Sequence, residues 1–154
     1  MIFDTHAHYD DRKFDADREE LIKQLQVSGI GRVVDIGADI DSTRRAVALA
    51  KQYDFIYAAA GVHPSDVDCL DERSFQWLTC LVEESVEEQG KIVAVGEIGL
   101  DYYWEKDPEQ REKQKHWFEK QMELARKTGL PVVIHSREAA KDTWDMMNGL
   151  KCED

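Results

Sequence analysis

The chain has 154 residues, with 20 Lys and Arg against 32 Asp and Glu, a net charge of −12 and 42% hydrophobic residues. That length suits one domain, and the acidic balance excludes a basic module held on nucleic acid or an anionic membrane by long-range charge. No apolar run approaches the roughly 18 residues of a membrane span, and Met1 leads into Ile2-Phe3-Asp4 without a basic and apolar leader, so a cytoplasmic protein is expected. Cys69, Cys80 and Cys152 are odd in number and lie in no CxxC pair, so free thiols are expected.

Short apolar runs alternate with segments of helical period. Ile2 to His8 reads as a strand, followed by a helix over Arg18 to Val27 with Leu21, Ile22 and Leu25 inward, stopped by Gly29 and Gly31. Arg32 to Gly37 is a second strand and Asp41 to Tyr53 a second helix. Phe55 to Val62 is a third strand, ending at His63-Pro64. Asp71 is the expected N-cap of a helix running to Glu88. Ile92 to Glu97 is a fourth strand, followed by a loop carrying Asp101, Tyr102, Tyr103 and Trp104. Asp107 and Pro108 announce a helix that Gly129 ends. Pro131 to His135 is a fifth strand, and a last helical segment is expected from Ser136.

Near-continuous Val, Ile and Ala strands between helices indicate a parallel α/β sheet. Strand starts recur roughly every 32 residues, close to the ~31 per unit of an eight-unit barrel of about 250 residues, so about five units are present. A flavodoxin-like five-stranded sheet fits the same count.

The strand ends carry the chemistry. His6 and His8 are two apart on one strand, so their side chains leave the same face about 7 Å apart at the backbone, with Asp4 on that face too. Glu97 follows a run too apolar to hold an unpaired carboxylate cheaply; a metal or a basic partner would satisfy it. His135 stands where the fifth apolar run stops. Imidazole and carboxylate together suit Zn, Mn or Fe, and carboxylate-bridged pairs also accept Mg. His63, Asp101 and Arg137 gather at the same rim, with Arg137 expected at the mouth of a helix, where it suits a phosphate oxygen. His63 as a mere turn residue and Arg137 as a surface ion pair are the plainer readings. Tyr102, Tyr103 and Trp104 offer base stacking or a packed loop. His116 belongs to a charged helix face.

Phe3-Asp4-Thr5-His6-Ala7-His8, Gly61-Val62-His63-Pro64, Val95-Gly96-Glu97-Ile98-Gly99-Leu100-Asp101-Tyr102 and Leu130-Pro131-Val132-Val133-Ile134-His135-Ser136-Arg137 together resemble the TatD family of metal-dependent deoxyribonucleases, within the amidohydrolase-like barrels. The resemblance implies a (β/α)8 TIM barrel, here truncated to about five βα units, and a site for two divalent ions (Mg, Mn or Zn). It implies His6 and His8 as ligands of one ion, Glu97 as the catalytic carboxylate bridging both, and His135 as a ligand of the second. His63, Arg137 and Asp101 would lie at the scissile phosphate, and DNA ends or single-stranded DNA would be the substrate.

The family continues through three more strands that supply a further histidine and an aspartate. After Arg137 this chain offers only Asp142, Asp145, Glu153 and Asp154, so it reads as the N-terminal part of such an enzyme, with weak metal binding and slow or no turnover. An amide, ester or lactone hydrolase of the same barrel class is the rival enzyme, although such sites often bridge their metals with a carboxylated lysine and this strand offers Glu97. An inert truncated domain is the third reading. Open edges at the first and fifth strands, with Val33, Val93, Val95 and Val133 lining the unclosed interior or the layer beside it, predict self-association or binding of a complementary C-terminal half.

Overall fold

The computed structural model describes residues 1–149; Cys152, Glu153 and Asp154 lie outside the described residues. Five strands form one parallel sheet in the order β1 (Ile2–Ala7), β2 (Ile30–Ile36), β3 (Ile56–Ala60), β4 (Ile92–Asp101) and β5 (Val132–Arg137). Sequential order decides between the two architectures open above. A doubly wound sheet reverses its order at a switch point, whereas barrel strands follow one another around the axis. The sheet is a curled half-barrel.

The helices α1 (Arg18–Val27), α2 (Ile40–Gln52), α3 (Glu72–Glu87), α4 (Pro108–Thr128) and α5 (Ala140–Gly149) complete the βα units. Their ends follow local chemistry. Asp71 accepts from the Ser74 N–H at 2.7 Å while Ser74 Oγ accepts from the Asp71 N–H, a reciprocal cap for α3. Asp107 caps α4 ahead of Pro108, and Gly129 closes it at φ 69°. α2 starts at Ile40, one residue before the expected Asp41, because the Asp39 carboxylate caps the Ser42 N–H at 2.7 Å.

Two cores lie on opposite faces of the sheet. Val33, Ala58, Ala60 and Val95 join Ile22, Leu78, Val82 and Phe118 in the large helix-covered core. Val34, Ile36, Ala59 and Ala94 form a small cluster on the other face with Tyr57, Val93 and Val133. Of the four valines expected at the interior, Val93 and Val133 line that concave face, while Val33 and Val95 sit under the helices.

Further boundaries differ from expectation. β4 runs through Glu97 to Asp101, because Ile98, Gly99, Leu100 and Asp101 pair with Ile134, His135, Ser136 and Arg137. Gly99 permits this at φ 143°, where any Cβ would collide with the His135 carbonyl. Ser136 and Arg137 therefore extend β5, and the last helix begins only at Ala140. Two 3-10 turns, Arg12–Phe14 and Pro64–Cys69, follow β1 and β3 in segments read as loop.

Candidate metal centre

The residues singled out above lie near or just past the C-terminal ends of β1, β3 and β5 and in the second half of β4, and the structure brings most of them into one cluster. His6 Nε2 lies 3.2 Å from His8 Nε2 and 3.3 Å from Glu97 Oε2, and His8 Nε2 lies 3.9 Å from the same oxygen. The other oxygen of that carboxylate, Oε1, lies 3.1 Å from His135 Nδ1. One carboxylate thus faces three imidazoles, His6 and His8 with one oxygen and His135 with the other. Asp4 instead accepts from the His6 backbone N–H at 3.2 Å.

The donor set fits a divalent cation. His8 Nδ1 lies 2.9 Å from the Ile36 carbonyl, which can only accept, so Nδ1 carries the proton and the Nε2 lone pair is free for an ion. His135 Nε2 is 3.0 Å from Asp101 Oδ2, which orients the ring and leaves Nδ1 toward Glu97. Among the described residues two groups could hold a metal: His6, His8 and Glu97, and His63, Asp101 and His135.

Asp101 stands elsewhere than expected. It is 1% exposed at the end of β4, behind His135, and Oδ1 accepts from the Tyr103 and Trp104 N–H groups at 3.0 and 3.1 Å. Burial pushes its carboxyl up, but the two backbone donors and His135 outweigh this and hold it below the usual range. A buried carboxylate with both oxygens occupied repels phosphate. Its geometry suits positioning of His135, not substrate contact.

His63 combines both earlier readings. Its Nδ1 accepts from the Ser65 N–H at 3.1 Å, capping the 3-10 turn, and its ring packs edge-on to His135 with centroids 4.2 Å apart. Burial, together with His135, pushes its pKa down to about 4 against the pull of Glu97 and Asp101. The neutral ring carries its proton on Nε2. Arg137 ends β5, three residues before α5 begins at Ala140, and its guanidinium lies 3.9 Å over the Tyr103 ring. His116 is exposed on α4.

Several supporting residues escaped the sequence reading. The buried Asp35 on β2 accepts the Tyr9 N–H at 2.6 Å and so anchors the chain just after His8. Buried Asp10 accepts from Ser42 Oγ at 2.7 Å and pairs with Arg45 at 3.3 Å. On α4, the Gln121 amide brackets the Val62 backbone beside His63, with contacts of 2.7 and 3.2 Å, and the Gln114 amide does the same at Asp101, at 3.0 and 3.3 Å. A lone carboxylate inside the run Val33-Val34-Asp35-Ile36 was the available signal for Asp35. The seven-residue spacing of the two glutamines beside Trp117 and Phe118 was a weaker one.

A parallel half-barrel with imidazoles and carboxylates at its strand ends defines the class of metal-dependent barrel hydrolases. The sequence model of the TatD related DNase family matches residues 3–153, and the chain belongs to that family. It is 42% identical over 142 residues to the uncharacterized metal-dependent hydrolase YabD of Bacillus subtilis, covering 92% of this chain and 53% of the relative. It is 31% identical over 138 residues to the 3'-5' ssDNA/RNA exonuclease TatD of Cronobacter sakazakii, covering 90% of this chain and 50% of that protein. The crystal structure of YjjV, the TatD homologue of Escherichia coli, superposes with a TM-score of 0.83 at 31% identity, over 97% of this chain and 56% of that one. The chain spans about half the length of the curated relatives it matches. No helix among the described residues is long and apolar enough to cross a membrane.

Proposed function

We propose that this chain carries the β1–β5 part of a phosphodiester hydrolase that uses two divalent ions (Mg, Mn or Zn) to cut DNA, taking strand ends or single strands. The observation that carries this reading is the placement of Glu97, whose Oε2 faces His6 and His8 while Oε1 faces His135. A carboxylate shared in this way is the donor arrangement that two neighbouring cations need. When bound, such ions supply Lewis acidity and local positive charge at a phosphodiester.

The chain's own residues then have defined tasks. His6 and His8 offer ring nitrogens on one side of Glu97, with His8 held in its tautomer by the Ile36 carbonyl. Asp101 keeps His135 aimed at the other side. His63 stays neutral and keeps a proton on Nε2, ready to donate to a phosphate oxygen. Arg137 adds a cation at the same rim. A net charge of −12 repels DNA at a distance, so attraction must be local, which favours strand ends and short single strands over a broad duplex footprint. The exonuclease name of the Cronobacter relative supports the same substrate class.

Calorimetric titration of the purified chain with Mn2+, followed by assays on labelled single-stranded DNA, RNA, duplex DNA and a lactone, tests the proposal. Metal uptake followed by metal-dependent binding or cleavage of single-stranded DNA is expected. Turnover of the lactone alone would transfer the site to carbonyl chemistry, and no metal uptake would end the reading.

A further inference from the structure

We propose that Tyr103, Trp104 and Arg137 form a stacking platform that takes one base of a single-stranded nucleic acid beside the phosphodiester held at the Glu97–His135 site. The inference rests on the nucleic-acid reading above and adds a base-binding subsite to it.

The loop after β4 sorts its aromatic residues into two kinds. Tyr102 is buried, its hydroxyl donates to Asp142 at 2.8 Å, and Arg111 covers its ring at 4.4 Å. Tyr103 and Trp104 turn outward, and Trp104 is 69% exposed. Their rings meet edge to face at 4.6 Å, and the Arg137 guanidinium lies 3.9 Å from the Tyr103 centroid and 5.5 Å from that of Trp104. A single exposed aromatic needs no explanation, but this group has three further properties.

The first is rigidity. Asp101 Oδ1 accepts from both the Tyr103 and the Trp104 N–H, Lys106 Nζ donates to the Tyr102 carbonyl at 2.6 Å, and Arg111 Nε donates to the Glu105 carbonyl at 2.9 Å. A loop clamped at this many points presents its rings at little entropic cost on binding. The second is charge. Among the described residues Arg137 forms no ion pair, in a chain with 32 acidic residues, and it spends its planar face on an aromatic ring instead. A guanidinium stacked in this way keeps its N–H edge for an acceptor such as phosphate.

The third is position. The carboxylate that fixes the two aromatic backbones is the one that orients His135, and Arg137 pairs with Asp101 across the sheet two residues after His135. Trp104 lies three residues along the chain from Asp101, a span of at most about 10 Å. A base on Trp104 is therefore within reach of a phosphate at the metal centre. Stacking accepts every base through its π face, so the subsite confers a preference for unpaired strands without sequence preference.

The test is Trp104→Ala and Trp104→Phe in the chain as it stands, with binding of a fluorescein-labelled oligothymidylate measured by anisotropy in magnesium buffer. The same strand with abasic sites is measured in parallel. Trp104→Ala is expected to weaken binding of the base-bearing strand about 5- to 100-fold, Trp104→Phe to restore most of it, and the wild-type to lose a similar factor on the abasic strand. Trp104→Ala should then bind the abasic strand as the wild-type does. Unchanged binding by Trp104→Ala, or equal weakening on both strands, would overturn the platform and leave the nuclease reading standing. A wild-type chain that takes up metal but binds neither strand would remove the nucleic-acid reading and the platform with it.

Discussion

The two flanks of Glu97 are built differently. On the β5 side, His135 is 20% exposed at its side chain and braced by a carboxylate, Asp101, that is itself held by two backbone donors. On the β1 side, His6 and His8 are 44% and 41% exposed, on an edge strand whose pairing with β2 slips between Ile2 and Phe3 and again between Asp4 and Ala7. Every residue of β3 except Tyr57 is buried, whereas on β1 only Ala7 is. The site has one preorganised wall and one open wall, because a strand left largely exposed, with Ala7 alone buried, has little packing to fix its rotamers.

Removing the shared group tests whether the flanks form one site. Glu97→Ala is expected to lower affinity for Mn2+ at least 100-fold in calorimetry, since it takes an oxygen from both sides at once. Affinity unchanged within a factor of three would show that the imidazoles bind without the carboxylate.

The braced wall is probed through its brace. Asp101→Asn keeps the shape but loses the charge that orients His135, and a 10- to 100-fold loss in metal affinity is expected. Asp4→Asn, on the open flank, should change affinity less than threefold. Equal effects would cancel the distinction between the walls.

The open flank also predicts assembly. Phe3 is 56% exposed and Ile2 is similarly bare on edge strand β1, and covering two such side chains is worth about 1.5–3 kcal/mol each. We expect self-association at tens of micromolar in sedimentation velocity, or capture of a complementary C-terminal half of the barrel, with Ile2→Ser/Phe3→Ser shifting the chain toward monomer. A wild-type chain that stays monomeric at those concentrations would show that β1 needs no cover.

The smallest expected effect concerns the anchor of the β1 loop. Burial, reinforced by Asp10, pushes the Asp35 carboxyl up to about 7, against the Tyr9 and Asp10 amides and Arg18, and its Oδ2 has no partner among the described residues. The native state therefore holds a proton that the unfolded chain has lost above its ordinary value of 3.8. Stability falls as pH rises from about 4 to 7, and the whole penalty is present above 7. Asp35→Asn, which keeps an acceptor for Tyr9 without a charge, should raise Tm by about 2–8 °C at pH 8 and change it little at pH 4. A rise of equal size at both pH values would assign the effect to something other than ionisation.

Much of this architecture is legible locally. The apolar runs of β1 to β5, the caps at Asp71 and Asp107 and the stop at Gly129 depend on neighbours in sequence, and a histidine or glutamate at the close of an apolar run is conspicuous because it breaks the pattern. The continuation of β4 past Glu97 is not legible. Gly96 and Gly99 have poor strand propensity, and only the ladder to β5, with Gly99 opposite His135, keeps the segment extended. The same ladder makes Arg137 the last residue of β5, with the helix starting only at Ala140. Gln114 and Gln121 were hidden for another reason: a polar residue on a helix reads as solvent-facing until the backbone groups it satisfies are in view.

By itself the sequence determined the α/β class, the number of βα units and which strand ends bear ligand-type residues, since these follow from hydrophobic period and local backbone preference. Hydrophobic period left a sequentially ordered half-barrel and a doubly wound sheet open, and only the motif resemblance favoured the barrel; the strand order itself is seen in the tertiary structure, because long-range pairing is encoded in no local signal. The same holds for the division of labour within the site. Glu97 faces His6, His8 and His135, Asp101 braces His135 and Arg137 lies over Tyr103 because β1, β4 and β5 meet at one rim, bringing side chains nearly a hundred residues apart to within hydrogen-bonding distance.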